Sequence, residues 1–282
     1  MSEIRKYFIS RFNDGGVLLE LDFSQLEIYA LAFLSCDKQL RSDLLSGQDL
    51  HDISAEMLYG PTFSQKQRKI AKQLSFQLQY GAGAKSMADK NGIPLKEAKR
   101  FISEYYHRYP GVKLWQDKMI ETVKRSRVLT TDGRRTPNMN QVGEGTLKSI
   151  TNRVYKFYEQ DSPDWMKGGG VSFSPTQIKN YPVQGFATGD IVPMILGKLY
   201  REVVQEPWRK NILMINTVHD SVLFDCSSEA LAKDWRWQAK SIMEKAPMYL
   251  KEQFNIDFDL PLKVSAEMGK NWMTMNPLDM RC

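Results

Sequence analysis

The chain has 282 residues, 42% hydrophobic and 26% charged, enough apolar content for a sizeable core in one large domain or two interleaved ones. No stretch approaches the ~18 consecutive apolar residues of a membrane span, "MSEIRKYFISRF" lacks a secretory core, and three cysteines without a CxxC argue against a disulfide framework or a zinc site and for a reducing cytoplasm. The net charge of +6 permits a polyanionic partner without proving one.

In chain order, "GGVLLELDFSQ" predicts a short buried strand over 17–22, entered through Gly15 and Gly16. A helix follows from residue 24 through "LEIYALAFLS", with Ser24 and Glu27 spaced as a capping box. Residues 64–126 read as a long helical region broken near "GAGAKS" and at Pro110. Ser64 and Gln67 cap its first helix, and Pro94 suits the first turn of a later one. Glycine, proline and polar residues dominate 132–180, which predicts a surface insertion, and a helix resumes after Gln184. "ILMINTVHDSVLFD" predicts two strands meeting at a tight "HD" turn. A helix over 229–253 and a final strand, "LPLKVSAEMG", complete the chain. Strands at both ends and helices between them suggest a sheet-based domain interrupted by a helical insertion.

Three constellations carry chemistry. Asp22 ends one apolar strand and Asp220 sits at the turn of another. Brought together, they would repel unless divalent cations lay between them, and magnesium prefers such oxygen ligands. From spacing alone, capping strand ends or turns is the plainer role for both. In "RKIAKQLSFQLQYG", Arg68, Lys72, Phe76 and Tyr80 recur every four residues and form one drifting stripe, with Ile70, Leu74 and Leu78 on the packing side. The cations suit a triphosphate and the rings a sugar and base; a solvated cationic turn followed by core aromatics is the competing role. "YPVQG" sets Asn180 and Gln184 around a proline, "DGRR" offers Arg134 and Arg135 to phosphates, and His51 follows "GQDL". Each of these has an ordinary structural role if taken alone.

Taken in order, "LDFSQLE", "RKIAKQLSFQLQYG" and "TVHDS" resemble the catalytic and fingers motifs of family A DNA polymerases. "GIPLKEAKRFISEYYHRYPGV", "TTDGRR", "YPVQG" and "GKNW" extend the similarity from about Ile4 to Trp272. The resemblance implies an α+β fold, a palm with an antiparallel sheet plus a helical fingers subdomain. Its expected boundaries are palm at 1–48, fingers at 49–180 with an insertion at about 138–175, and palm again at 181–282. It further implies DNA-directed DNA polymerase activity: a primer 3′-hydroxyl attacks the α-phosphate of a dNTP. Asp22, Asp220 and the backbone carbonyl of Phe23 would hold two Mg2+ ions. Arg68 and Lys72 would neutralise the triphosphate, Lys72 would protonate the leaving group, and His51 would assist. Glu27 would exclude a ribose 2′-hydroxyl, and Phe76, lacking a tyrosine hydroxyl, would discriminate against dideoxynucleotides. Tyr80 would support the nascent base pair, while Asn180, Gln184, His219, Arg134 and Arg135 would contact primer–template DNA.

Two positions depart from the family pattern. Ser221 follows Asp220 where glutamate is usual, and Thr176 stands where arginine is often found. Few residues precede the first catalytic strand, so thumb and exonuclease domains are expected to be absent and a second polypeptide to supply the thumb and remaining palm. The expected location is the cytoplasm, a bacterial host's if the source is viral, with no membrane partner. A non-catalytic DNA-binding subunit and an RNA-synthesising relative are the rival functions.

Overall fold

The computed structural model describes residues 3–162 and 170–280. The chain divides into two compact units, one of residues 1–29 with 185–282 and one of residues 30–184.

The first unit is built on a five-stranded antiparallel sheet. Its strands are β1 (Val17–Phe23), β7 (Ile212–Val218), β8 (Ser221–Cys226), β9 (Val264–Gly269) and β10 (Asn276–Pro277), in the order β10-β9-β1-β8-β7. Strand side chains alternate between faces, and the register pairs Leu19 with Phe224 and Leu21 with Val222 on one face. That face is apolar, and Phe224 meets Trp235 of helix α10 (Glu229–Glu244) with ring centroids 5.5 Å apart. Trp235 is fully buried and also packs on Trp208. The opposite face carries Leu18, Glu20 and Asp22 beside Asp225, Leu223 and Ser221. Trp272 covers Leu18 and Leu223 there, which leaves the Glu20–Asp22 end only half-buried.

Several sequence expectations shift here. Helix α1 (Leu26–Ser35) starts two residues beyond Ser24, with Gln25 at φ +60° between them, so Ser24 is not the N-cap of a box with Glu27. Instead the Ser24 N–H donates to the Lys263 carbonyl. The single helix expected over 229–253 is two, α10 and α11 (Ala246–Phe254), because Pro247 sits in the first turn of the second. Of "LPLKVSAEMG", the strand takes only Val264–Gly269.

The second unit contains helices α2 (Lys38–Leu45), α3 (Leu50–Tyr59), α4 (Gln65–Gln79), α5 (Ala84–Asn91), α6 (Leu95–Arg108) and α7 (Pro110–Arg125). The Ser64–Gln67 capping box forms, and the break at Pro110 falls where proline opens α7. Pro94 stands just outside α6 as its N-cap rather than in its first turn. Asp37 caps α2 through one oxygen, while the other accepts from the N–H of Gly111 at 2.7 Å, so one carboxylate serves two helix starts.

Residues 128–162 and 170–172 are more regular than expected. Strands β2 (Val128–Leu129), β3 (Gly143–Lys148) and β4 (Val154–Tyr158) form a three-stranded antiparallel sheet, and β5 (Gln160–Asp161) pairs with β6 (Val171–Ser172). Phe157, Leu147 and Phe173 pack on Met119 and Val123 of α7, so tertiary contact recruits segments whose glycines and polar residues read as loop. Gly145 permits this approach, since a Cβ there would lie 2.6 Å from the Val123 carbonyl. The part of the expected insertion at 163–169 lies outside the described residues.

Helix α8 (Pro175–Phe186) begins well before Gln184 and contains Pro182. Ile178, Val183 and Phe186 are all buried; their burial offsets the ~3 kcal/mol that an interior proline costs. The helix continues through a π-helical turn, Ala187–Ile191, into α9 (Val192–Val203).

Candidate active site

β1 and β8 are adjacent because their apolar faces share one core, and the register sets Asp22 opposite Ser221. Asp220 occupies the two-residue turn joining β7 to β8, whose other member, His219, holds φ +56°. A non-glycine residue in this region costs on the order of 1 kcal/mol, here at the tip where Asp220 is presented. The Phe23 N–H donates to the Asp220 carbonyl at 3.3 Å, tying the turn to the end of β1. The two aspartate carboxyls are themselves within hydrogen-bonding reach.

Such a pair resists double ionisation. Burial foremost, then the charges of Asp220 and Glu20, push the Asp22 carboxyl up to about 7. Burial also raises Asp220. Both line a concavity of about 290 Å3 with Arg5, Glu20, His219, Ser221 and Glu267. Among the described residues, no three or more His, Cys, Asp or Glu side chains are grouped as a metal cage. Glu27 stands half-buried in the first turn of α1, and His219 is exposed.

The second unit carries the α4 stripe. Arg68 points back to α3, where it pairs with Asp49 and Asp52. Asp49 is the N-cap of α3, and its other oxygen accepts from the His51 N–H at 2.7 Å. The imidazole of His51 is nearly buried and lies 5.6 Å, centroid to centroid, from the ring of Phe76. Burial first, and then the Lys72 charge, lower the pKa of His51 below the usual imidazole range, so it is neutral at pH 7. Lys72 is exposed, with its ammonium 5.8 Å from the Phe76 ring. Leu74 and Leu78 are buried on the other side, as expected, whereas Ile70 is only partly covered. Tyr80 ends the helix as its C-cap. His51, Arg68, Lys72 and Phe76 therefore form one connected group.

The remaining predicted residues of this unit belong to other elements. Asn180 and Gln184 are one turn apart on α8, and the Asn180 amide donates to Gln184 Oε1 at 3.3 Å. Arg134 pairs with Asp132 and stacks 4.4 Å from the Tyr158 ring centroid, while Arg135 donates to the Met139 carbonyl. Both arginines line a separate concavity of about 440 Å3 with Glu159 and Asp161. Thr176 has a structural partner, since its hydroxyl donates to the Gly81 carbonyl at 3.0 Å. Gly81 itself adopts φ +76°, and a Cβ there would meet Thr176 Cα at 2.8 Å.

Sequence reasoning missed Glu20 and Glu267 beside the aspartates, and Asp49 and Asp52 beside Arg68. Glu20 had a legible signal, because it lies two positions before Asp22 on the same strand and so shares its face. The other three join through non-local contacts.

A family model described as DNA polymerase family A matches residues 1–274. The chain belongs to DNA polymerase family A. It is similar to DNA polymerase I of Helicobacter pylori strain J99, with 29% identity over 95% of this chain and 26% of that protein. It is 28% identical to the thermostable DNA polymerase I of Thermus filiformis over 96% of this chain and 28% of the relative. A DNA polymerase of Bacillus phage SP01 is likewise 28% identical, over 96% of this chain and 27% of its own length. The chain thus spans about a quarter of the length of the curated relatives it matches. Its fold resembles the POL domain of Pol1 from M. smegmatis, solved in complex with DNA primer-template and dNTP. The TM-score is 0.70 at 22% identity, over 95% of this chain and 42% of that one. The α+β fold, an antiparallel sheet plus a helical portion, is that of this family A domain. No helix among the described residues is long and apolar enough to cross a membrane.

Proposed function

We propose that this family A chain carries the core of a DNA-directed DNA polymerase, adding dNTPs to a primer 3′-hydroxyl on a DNA template. The observation that carries the reading is the meeting of Asp22 and Asp220, which lie far apart in sequence, at one end of the β1–β8 pair. Residues 1–48 and 181–282 are assigned to the palm and 49–180 to the fingers.

The donor set fits a hard divalent cation, because two half-buried carboxyls meet at the end of β1 and magnesium takes only one or two carboxylates. Asp22, Asp220 and the Phe23 carbonyl would hold it. A pair of Mg2+ ions, when bound, supplies charge stabilisation at the attacking and leaving oxygens of phosphoryl transfer. Arg68 and Lys72 bind triphosphate oxygens, and Arg68 exchanges its aspartate partners for phosphate as it does so. Lys72 is assigned the proton given to the departing pyrophosphate, with neutral His51 donating a hydrogen bond nearby. Phe76 and Tyr80 offer ring faces to the sugar and base, and Glu27 excludes a 2′-hydroxyl. Asn180, Gln184, His219, Arg134 and Arg135 are assigned to primer–template contacts.

Extension of a labelled primer by the wild-type chain in Mg2+ is the test, beside Asp220→Ala and with deoxy- and ribonucleotides in parallel. Extension with dNTPs that vanishes in Asp220→Ala is the expected result. Extension that survives the substitution refutes the assignment of Asp220. If the chain alone is inactive, adding a candidate thumb-bearing polypeptide tests the expected second subunit, and continued inactivity favours a non-catalytic DNA-binding role.

A further inference from the structure

Ser221 places a hydroxyl, not a carboxylate, directly after Asp220, yet the neighbouring strand returns a carboxylate to that hydroxyl. The Ser221 hydroxyl donates to Glu20 Oε1 at 2.8 Å, and the Trp272 indole N–H donates to Glu20 Oε2 at 2.9 Å. Each oxygen of Glu20 is therefore held by a neutral donor. These bonds fix its orientation and bring no countercharge of their own, unlike the guanidinium that meets Asp43 elsewhere in the chain; the Arg5 guanidinium lines the same concavity and stacks on the Trp272 ring, 4.3 Å from its centroid. Glu20 and Asp22 are alternate residues of β1, so they share a face about 7 Å apart along the strand. Both line the same concavity as Asp220. If Glu20 merely accepted from Ser221 and Trp272, a neutral amide oxygen would serve as well; a carboxylate at this place, lining the concavity that holds Asp22 and Asp220, is the feature that needs a reason.

We propose that Glu20 is the auxiliary carboxylate of the cation centre, a positioning residue held by Ser221 and Trp272 that adds negative charge from β1. The inference rests on the reading of Asp22 and Asp220 as cation ligands. Glu20 itself acts through the outer shell, by field and orientation, rather than as a ligand. It thereby supplies from one strand what a carboxylate following Asp220 would supply from the next. Outer-shell groups of this kind change metal affinity by about 10–100-fold.

The experiment is a Mn2+ titration of the full chain, with free Mn2+ read by electron paramagnetic resonance and no nucleotide or DNA present. Wild type, Asp22→Asn, Glu20→Gln, Ser221→Ala and Glu20→Gln/Ser221→Glu are compared, with metal-free thermal unfolding as a control for folding. Binding should be lost in Asp22→Asn, weakened about tenfold or more in Glu20→Gln, and largely recovered in the double variant. Ser221→Ala keeps the charge but loosens its hold and should weaken binding by about threefold, the equivalent of one modest hydrogen bond. Wild-type affinity in a folded Glu20→Gln, beside a defective Asp22→Asn, overturns the role of Glu20 while the carboxylate pair stands. Failure of the double variant to recover overturns the claim that charge is interchangeable between the two strands. Should Glu20→Gln not fold, Ser221→Ala decides, and an unchanged affinity counts against the proposal. Wild-type binding that is absent, or indifferent to Asp22→Asn, overturns both this inference and the reading beneath it.

Discussion

Asp22→Asn in chelator-treated protein should stabilise the fold at neutral pH. A carboxyl raised from its ordinary 3.8 to about 7 holds a proton in the folded state that the unfolded chain has already released. The folded state then binds more protons across this window, so stability is lost as pH rises through it. Were Asp22 fully shielded from water, a shift of this size would be worth about 4 kcal/mol. The side chain is only half-buried, and solvent screening reduces the expected effect to about 1–2 kcal/mol. For a chain of this length that is a few degrees in melting temperature. The assay is thermal unfolding of wild type and Asp22→Asn in chelator at pH 5, 6, 7 and 8, repeated with Mg2+. The variant should gain on wild type from pH 5 to about pH 7 and level off toward pH 8, and Mg2+ should close the gap by stabilising wild type alone. A gap independent of pH, or a variant less stable at pH 8, would refute the raised Asp22 carboxyl, assigned to burial first and then to the charges of Asp220 and Glu20.

Four further outcomes follow from named contacts. Asp43 is pushed up by burial, but hydrogen bonds from Arg108, Tyr109 and Gln39 outweigh this and hold its carboxyl low. Asp43→Ala should cost about 2–3 kcal/mol in urea unfolding, because it removes the charged acceptor of Arg108 and of the buried Tyr109 hydroxyl while Arg108 keeps partial access to water. The pKa of His51 is lowered, chiefly by burial, so its folded form binds fewer protons than the unfolded one. Stability should fall as pH drops below about 6.5, and His51→Gln should flatten that limb of a melting-temperature profile. Asp52 pairs with Arg68 and, on the proposed reading, would compete with a triphosphate for it; Asp52→Asn should then lower the apparent Kd for dNTP about threefold to fivefold, the equivalent of an exposed ion pair, in pre-steady-state titration. Phe76→Tyr adds one hydroxyl and should raise dideoxynucleotide use relative to deoxynucleotide by about tenfold, the value of one good hydrogen bond, in a competition assay.

Much of the site is written in short stretches of sequence. The alternation of "VLLELDF" sets Asp22 and Glu20 on one strand face, the "HD" turn presents Asp220, and the four-residue spacing on α4 aligns Arg68, Lys72 and Phe76. These are local properties, fixed by backbone period and turn chemistry. The same local signals mislead at α8, where Pro182 hides a helix whose apolar residues are buried, and at 143–158, where glycines and polar residues hide a sheet that exists because α7 covers it. The start of α1 also escapes the capping signal, since Gln25 takes a left-handed turn before the helix begins. Sequence by itself determined that Asp22, Asp220, Arg68 and Lys72 stand ready and on which elements. Only the tertiary structure decided that β1 lies beside β8 in the register that brings Asp22 to Asp220 and Glu20 to Ser221, and that Arg68 is held by α3. Pairings across such separations are set by which apolar faces share a core, and no local pattern along the chain encodes that choice.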